Sequence, residues 1–460
     1  MSSSTSPAPG TPASPSLVVT SPADILSYIL HALGFVPHES LVVLTTTGRR
    51  LGATLRVDLP DAGVDPRGFA DGVLSFLQGD VEADGTLVVV YTEECWERRT
   101  PAPRSELVLT VEAVLDAAGL PVRGGWLVSP SGWRDLFCTE EECCPWPGQP
   151  LDTVVHSALN AELIFGGSAF DASAPDAVHR SAPAVAARDL PGPAAPDPAA
   201  RAVEDAQAHY AACGAGRWTA PAQFHATSGL WDAVLATARG WDVQTEPDVA
   251  GFLLASIESR AVRDFLLASA CLGSAAALDG AAACGLVAPD PPDAPPTAGR
   301  ASGAERILPE VRSVAPLRDA VAALRAGGAR PGRDDGRAGR PTGDRADDDG
   351  RAVLYAEVLA GSYSGMIAWD RVDAMSRLLA RLAAVSDGES RAAALTMSAW
   401  FEYARGRGSR AAVFLDAAEQ AVPGYRLARL LHELLRRGGL PAWARSRATA
   451  WTASGSAGAA

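Results

Sequence analysis

This chain of 460 residues predicts an α/β N-terminal layered domain with a mixed sheet, followed by all-α middle and C-terminal helical segments. Three observations predict it. Helix-spaced and short strand-like apolar runs alternate from Ser21 to Val128. From residue 201 onward only helical spacing recurs, and Ala/Pro/Gly-rich stretches without periodicity separate these regions. The length suits about two to four domains at ~100–200 residues each.

The first helix is announced by Ser21-Pro22-Ala23-Asp24: a capping serine, proline at the first helical position and an acid in the first turn. Ile25, Ile29, Leu30 and Leu33 keep helical spacing until Gly34. Leu41–Leu44 is a fully apolar strand, Gly48 a turn, and Leu51–Val57 its alternating hairpin partner. Phe69, Val73, Phe76 and Leu77 mark a second helix, and Leu87–Tyr91 a strand buried on both faces. Leu107, Val111, Val114 and Leu115 mark a third helix ended by Gly119. Val122–Val128 reads as a strand interrupted at Gly124-Gly125, and Leu151–Phe165 as one apolar closing helix.

These elements divide the chain into a disordered tail (1–16), the α/β domain (17–170), an Ala/Pro-rich connector (171–200), a helical segment (201–284), a disordered linker (285–350), a helical bundle (351–445) and a second disordered tail (446–460). A short helix at Val311–Leu324 interrupts the linker. Ala392–Tyr425, with Ala399, Trp400, Ala411, Leu415, Ala418 and Pro423, fits a tetratricopeptide-like register loosely. One unit cannot make an array, so it is expected as a helical hairpin within the bundle.

Composition excludes several chemistries. The formal net charge is −14, so the mean field opposes nucleic acid and anionic membrane alike. No lysine occurs, which removes the P-loop nucleotide site and the Schiff base of pyridoxal phosphate enzymes. Phe265–Ala288 is too rich in Ala, Gly and Ser, and carries Asp279, to read as a membrane span. The N-terminus has no apolar signal core, and seven cysteines fit a reducing compartment, so the expected setting is cytoplasmic.

Several segments resemble the bacterial family known as domain of unknown function 4192. They are Ser21–Leu26, Leu33-Gly34-Phe35-Val36-Pro37, Glu39–Val42, Arg56-Val57-Asp58-Leu59-Pro60, Trp133-Arg134, Cys138 with Cys143-Cys144-Pro145, Val262-Arg263-Asp264 and Pro423–Ala428. The pattern departs at His31, where proline is expected to be common. The resemblance implies a shared fold and a bacterial cytoplasmic setting, and no activity.

Two constellations have chemistry to offer. Cys138, Cys143 and Cys144 are three soft ligands that Cys95 or His156 could complete around zinc, although the spacing is not that of a zinc knuckle. Glu140, Glu141 and Glu142 beside them are expected to raise the thiol pKa values and to attract a cation. Asp24, His31, Glu39, Arg56 and Asp58 lie along the first helix and hairpin. They combine acid, base and guanidinium for anion binding or acid–base work, against structural use as cap, surface residue and ion pair. Trp126, Trp133 and Trp146 flank the thiols as core or as a binding face.

No HExxH, GxSxG or GxGxxG motif occurs. The expected function is therefore a non-enzymatic small-ligand or protein-binding regulator, contacting a protein partner through the C-terminal helices. The alternative is a hydrolase, metal-assisted or not, built on Cys138/Cys143/Cys144 or on Asp24/Arg56/Asp58.

Overall fold

A computed structural model describes residues 18–61, 63–98, 100–138, 140–181, 198–237, 240–287, 306–326, 345–436, 440–446 and 448–451. The expected tail 1–16 lies outside these residues, as do most of 446–460 and parts of the connector and linker. Contacts divide the chain into two compact units, one holding residues up to Ala177 and from Trp451 on, the other Val178–Ala450.

The first unit is a five-stranded mixed sheet in the order β2-β1-β3-β4-β5. β1 (Ser40–Thr47) pairs antiparallel with β2 (Arg50–Asp58) and with β3 (Gly85–Tyr91). β3 runs parallel to β4 (Val122–Ser129), and β4 antiparallel to β5 (Gly132–Asp135). Strand alternation sends successive side chains to opposite faces. Leu41, Val43, Val88 and Val90 pack against α2 (Pro66–Leu77) and α3 (Ser105–Ala117). Val42, Leu44, Leu87 and Val89 pack against Leu26, Ile29 and Leu30 of α1 (Pro22–Leu33). Both faces are thereby covered, which is why β1 and β3 read as continuous apolar runs. Each fully buried Leu or Ile contributes roughly 1.5–3 kcal/mol.

α1 begins at a capping box, with the Ser21 side chain on the Asp24 amide and the Asp24 side chain on the Ser21 amide; it ends at Gly34, whose φ of 80° needs the left-handed region.

Two expectations fail here. Gly124-Gly125 does not interrupt β4; the pairing register only slips past Arg123. The missing Cβ makes room instead, since one on Gly125 would stand 2.8 Å from the Phe137 ring. The closing helix is not single: α4 (Asp152–Val155) and α5 (Ala158–Phe165) are separated at His156-Ser157 because the Ser157 hydroxyl caps α5 by accepting from the Asn160 amide. β5 is additional, a four-residue strand too short to show alternation.

The second unit is helical. α6 (Ala174–Ser181) spans the boundary between the units. Then follow α7 (Pro198–Gly214), α8 (Pro221–Ala236), α9 (Pro247–Glu258), α10 (Arg260–Leu272), α11 (Ser274–Ala283), α12 (Ala315–Arg325), α13 (Arg345–Ala360), α14 (Trp369–Ala384), α15 (Gly388–Ala404), α16 (Gly408–Ala421) and α17 (Arg426–Arg436). One apolar core joins them, drawing on residues from Val178 to Trp443 and so on both sides of the expected linker. α15 and α16 form the hairpin expected at Ala392–Tyr425, but α15 is buried on every side from Ser390 to Ala404 and is the central helix of the unit.

α12, the helix within the expected linker, is held by a buried carboxylate. Glu246 accepts from the amides of Arg312 (2.8 Å), Ser313 (2.5 Å) and Val314 (3.1 Å) just before α12, and so anchors the turn that leads into it. The apolar stretch Phe265–Ala288 is broken at Gly273 between α10 and α11, and no described helix is long and apolar enough to cross a membrane.

Candidate functional site

The polar residues of α1 and the hairpin meet separate sets of partners. Asp24 is consumed by structure. Its Oδ2 accepts from the Thr20 amide (3.0 Å), the Thr20 hydroxyl (2.8 Å), the Ser21 amide (3.0 Å) and the Ser21 hydroxyl (3.0 Å), and Oδ1 from the Leu159 amide of α5 (3.3 Å). Burial raises its pKa, but the hydrogen bonds from Thr20, Ser21 and Leu159 outweigh this and hold it at about 2.

Arg56 and Asp58 pair with each other at 2.5 Å on edge strand β2, where Arg56 also donates to the Ser40 hydroxyl (2.9 Å) and the His38 carbonyl (3.3 Å). Glu39 accepts from the Thr92 hydroxyl (2.8 Å) and the Glu93 amide (2.7 Å) and lies 3.4 Å from Arg104. Burial raises its pKa, and these three partners bring it below the ordinary carboxylate value.

His31 is more than a surface residue. One turn-pair beyond Asp24 on α1, its ring is half-buried, with Nδ1 2.9 Å from the Ser168 hydroxyl and Nε2 2.9 Å from Asn160 Oδ1. Two bonds tie the chain just past Ser168 to the chain just after α1: Val36 donates to the Asp171 carbonyl (2.9 Å) and Asp171 to the Gly34 carbonyl (3.0 Å). Sequence reasoning named His31 and missed both partners, which lie 129 and 137 residues away.

The three thiols come together, although their spacing is not that of a zinc knuckle. The sulfurs of Cys138, Cys143 and Cys144 all lie within 4.8 Å of one another. Cys138 and Cys143 are 2.9 Å apart and Cys143 and Cys144 3.8 Å. Neither Cys95 nor His156 joins this group, so the fourth ligand expected from them is not supplied in this arrangement.

The loop that presents the thiols is pinned from below. Asp135 Oδ1 accepts from the amides of Phe137 (2.8 Å) and Cys138 (3.0 Å), and the Cys144 amide closes on the Glu140 carbonyl at 2.9 Å. Buried Arg134 donates to the carbonyls of Cys144 and Pro145 and lies over the Trp146 ring at 4.3 Å. Trp96 meets Trp146 edge-on at 5.5 Å, and Arg98 pairs with Glu141 across the two loops. Trp126 and Trp133 are core residues.

The electrostatics differ from the sequence expectation. Cys138 is lowered from its ordinary value, first by the Cys143 thiol that donates to it and then by a backbone hydrogen bond at Glu140. Cys143, holding that proton, is pushed up to about 12, and burial raises Cys144. The thiols set one another's protonation, and the Glu140–Glu142 carboxylates are not among the leading causes.

The family model of "Domain of unknown function (DUF4192)" matches residues 22–302 and 297–442. The chain belongs to this family. Its model covers α1, the sheet, the thiol loop and nearly all of the helical unit, so every candidate residue above lies within the DUF4192 match. Neither curated proteins nor solved structures yield a match to the chain.

Proposed function

We propose that this DUF4192 chain is a ligand-binding protein whose α/β unit holds a thiophilic divalent cation, zinc first, on Cys138, Cys143 and Cys144. The observation that carries the reading is the convergence of three sulfurs within 4.8 Å. Ligands at ~2.3 Å around a tetrahedral zinc stand ~3.8 Å apart, the separation already present between Cys143 and Cys144. Cys138 and Cys143 need only spread from 2.9 Å, a small change on a partly exposed loop. Three protein ligands leave a fourth position for solvent or a donor atom of a small ligand. The net charge of −14 argues against nucleic acid as that ligand. The helical unit is the proposed platform for a protein partner, with Leu430 of α17 more than half exposed.

Elemental analysis of protein purified without chelator tests the reading. One equivalent of zinc is expected, released by thiol alkylation and absent from the Cys138/Cys143/Cys144→Ser variant. Metal-free protein that takes up no zinc on titration, or protein whose Cys138 and Cys143 are recovered as a disulfide under reducing-cytosol conditions, would overturn it.

A further inference from the structure

The Ser168–His31–Asn160 set has an order that its hydrogen bonds determine. The Asn160 amide nitrogen donates to the Val155 carbonyl at 2.6 Å, so its oxygen faces His31 Nε2 at 2.9 Å and the Ser27 hydroxyl at 3.4 Å. An amide oxygen only accepts, so Nε2 carries the imidazole proton. In that tautomer Nδ1 presents a lone pair, and the Ser168 hydroxyl at 2.9 Å is placed to donate to it. Hydroxyl to base and base to orienting carbonyl is the polarity that activates a serine nucleophile.

The frame is built for position. Asn160 is 5% exposed and sits in the first turn of α5, whose cap is Ser157. His31 is on α1 with the Phe170 ring edge-on at 5.0 Å. Ser168 follows Gly167, at φ 86°, and its amide is tied to the Leu163 carbonyl at 2.9 Å. Ser168 and His31 are half-buried, whereas Asn160 is enclosed. Beside Ser168 in the chain, Ile164 and Phe165 are 54% and 95% exposed, an apolar surface suited to an acyl chain.

We infer that Ser168, His31 and Asn160 form a nucleophile, general base and positioning residue for acyl transfer from a carboxylic ester with an apolar acyl group. Ser168 Oγ bonds to the acyl carbon as its proton passes to His31 Nδ1. The ester C–O bond breaks as that proton moves to the leaving alkoxide, giving the alcohol and an acyl-serine. Water attacks the acyl-serine and gives its proton to Nδ1. The bond between the acyl carbon and Ser168 Oγ then breaks, the proton returns to Oγ, and the carboxylic acid leaves.

The test uses the full chain with a fluorophosphonate probe, mapped by peptide mass spectrometry, and with p-nitrophenyl butyrate and octanoate. Stoichiometric labelling at Ser168 is expected, none there in Ser168→Ala, and labelling about 100-fold slower in His31→Gln, the scale of a lost general base. Octanoate ester is expected to outpace butyrate. Circular dichroism and exchange protection of α1 establish that each variant is folded. Wild-type protein that does not label at Ser168, or a folded His31→Gln variant labelled as fast as wild type, would show the set to be a structural hydrogen-bond network.

Discussion

Replacing Asp24 by asparagine separates a structural from a ligand-binding carboxylate. The wild-type side chain accepts hydrogen bonds from Thr20, Ser21 and Leu159, closing the α1 capping box and tying α1 to α5. Asparagine keeps one acceptor oxygen but turns an amide toward groups that also donate. The carboxyl is lowered from 3.8 to about 2 in the folded chain. At ~1.4 kcal/mol per unit that is ~2.5 kcal/mol, and solvent around Thr20 reduces it to about 1–2 kcal/mol, close to the usual worth of a helix cap.

The pH dependence has a definite sign. Because the folded pKa lies below the unfolded one, the stabilisation is complete above 3.8 and disappears as pH falls from 3.8 to about 2. Hydrogen–deuterium exchange of α1 peptides is the local assay, supported by urea unfolding. Asp24→Asn is expected to lose about 1–2 kcal/mol at pH 7, with the gap to wild type closing near pH 2. Asp58→Asn, whose carboxylate is 78% exposed, is expected to lose under ~0.5 kcal/mol. Equal protection in wild type and Asp24→Asn at pH 7, or a gap that persists to pH 2, would refute the capping account.

Glu246→Gln is expected to loosen residues 306–326, read as faster exchange there by roughly 10–100-fold, since a charged acceptor shared by three amides is lost. In wild type the same release is expected on acidification, because burial raises Glu246 but the bonds from Arg312, Ser313 and Val314 lower it below 4.5 and protonation removes them. Gly251→Ala is expected to cost about 1–3 kcal/mol in thermal or urea unfolding, since its Cβ would stand 2.5 Å from Ala206 Cβ and 2.6 Å from the Gln207 amide nitrogen on α7. Zinc binding at the thiols is expected to release protons, Cys143 being held protonated up to about 12 in the free site, so affinity falls as pH drops; calorimetry in buffers of different ionisation enthalpy measures the number.

Local signals carried most of the sheet and its helices. Ser21 and Pro22 mark the start of α1, Gly34 its end, and the apolar runs of β1 and β3 their burial on two faces. Where the reading failed, a residue was doing something that only a distant neighbour explains. Ser157 sits inside an apolar run and looks tolerated by one helix, yet it caps a second. Gly125 looks like a strand breaker, and what it provides is space for Phe137. Glu246 has no local sign of its role, because the amides it holds are 66 to 68 residues further on. The thiol set was legible because its members are close in sequence; that Cys95 and His156 stay outside it was not, because loop geometry decides that.

Asp24 and His31 show why polar residues on one helix cannot be assigned together. Seven residues apart, they lie on the same face of α1, and both reach α5 or the chain just after it. Asp24 meets mainly backbone amides and nearby hydroxyls, so its charge is committed to holding the fold. His31 hydrogen-bonds two side chains, one an amide whose orientation the Val155 carbonyl decides, the other a half-buried hydroxyl with no such anchor among its described contacts. A ring held in one tautomer against a hydroxyl is a poised base, whereas a carboxylate held by amides is a cap. The chemical difference lies at the far end of each hydrogen bond, which the spacing within α1 does not contain.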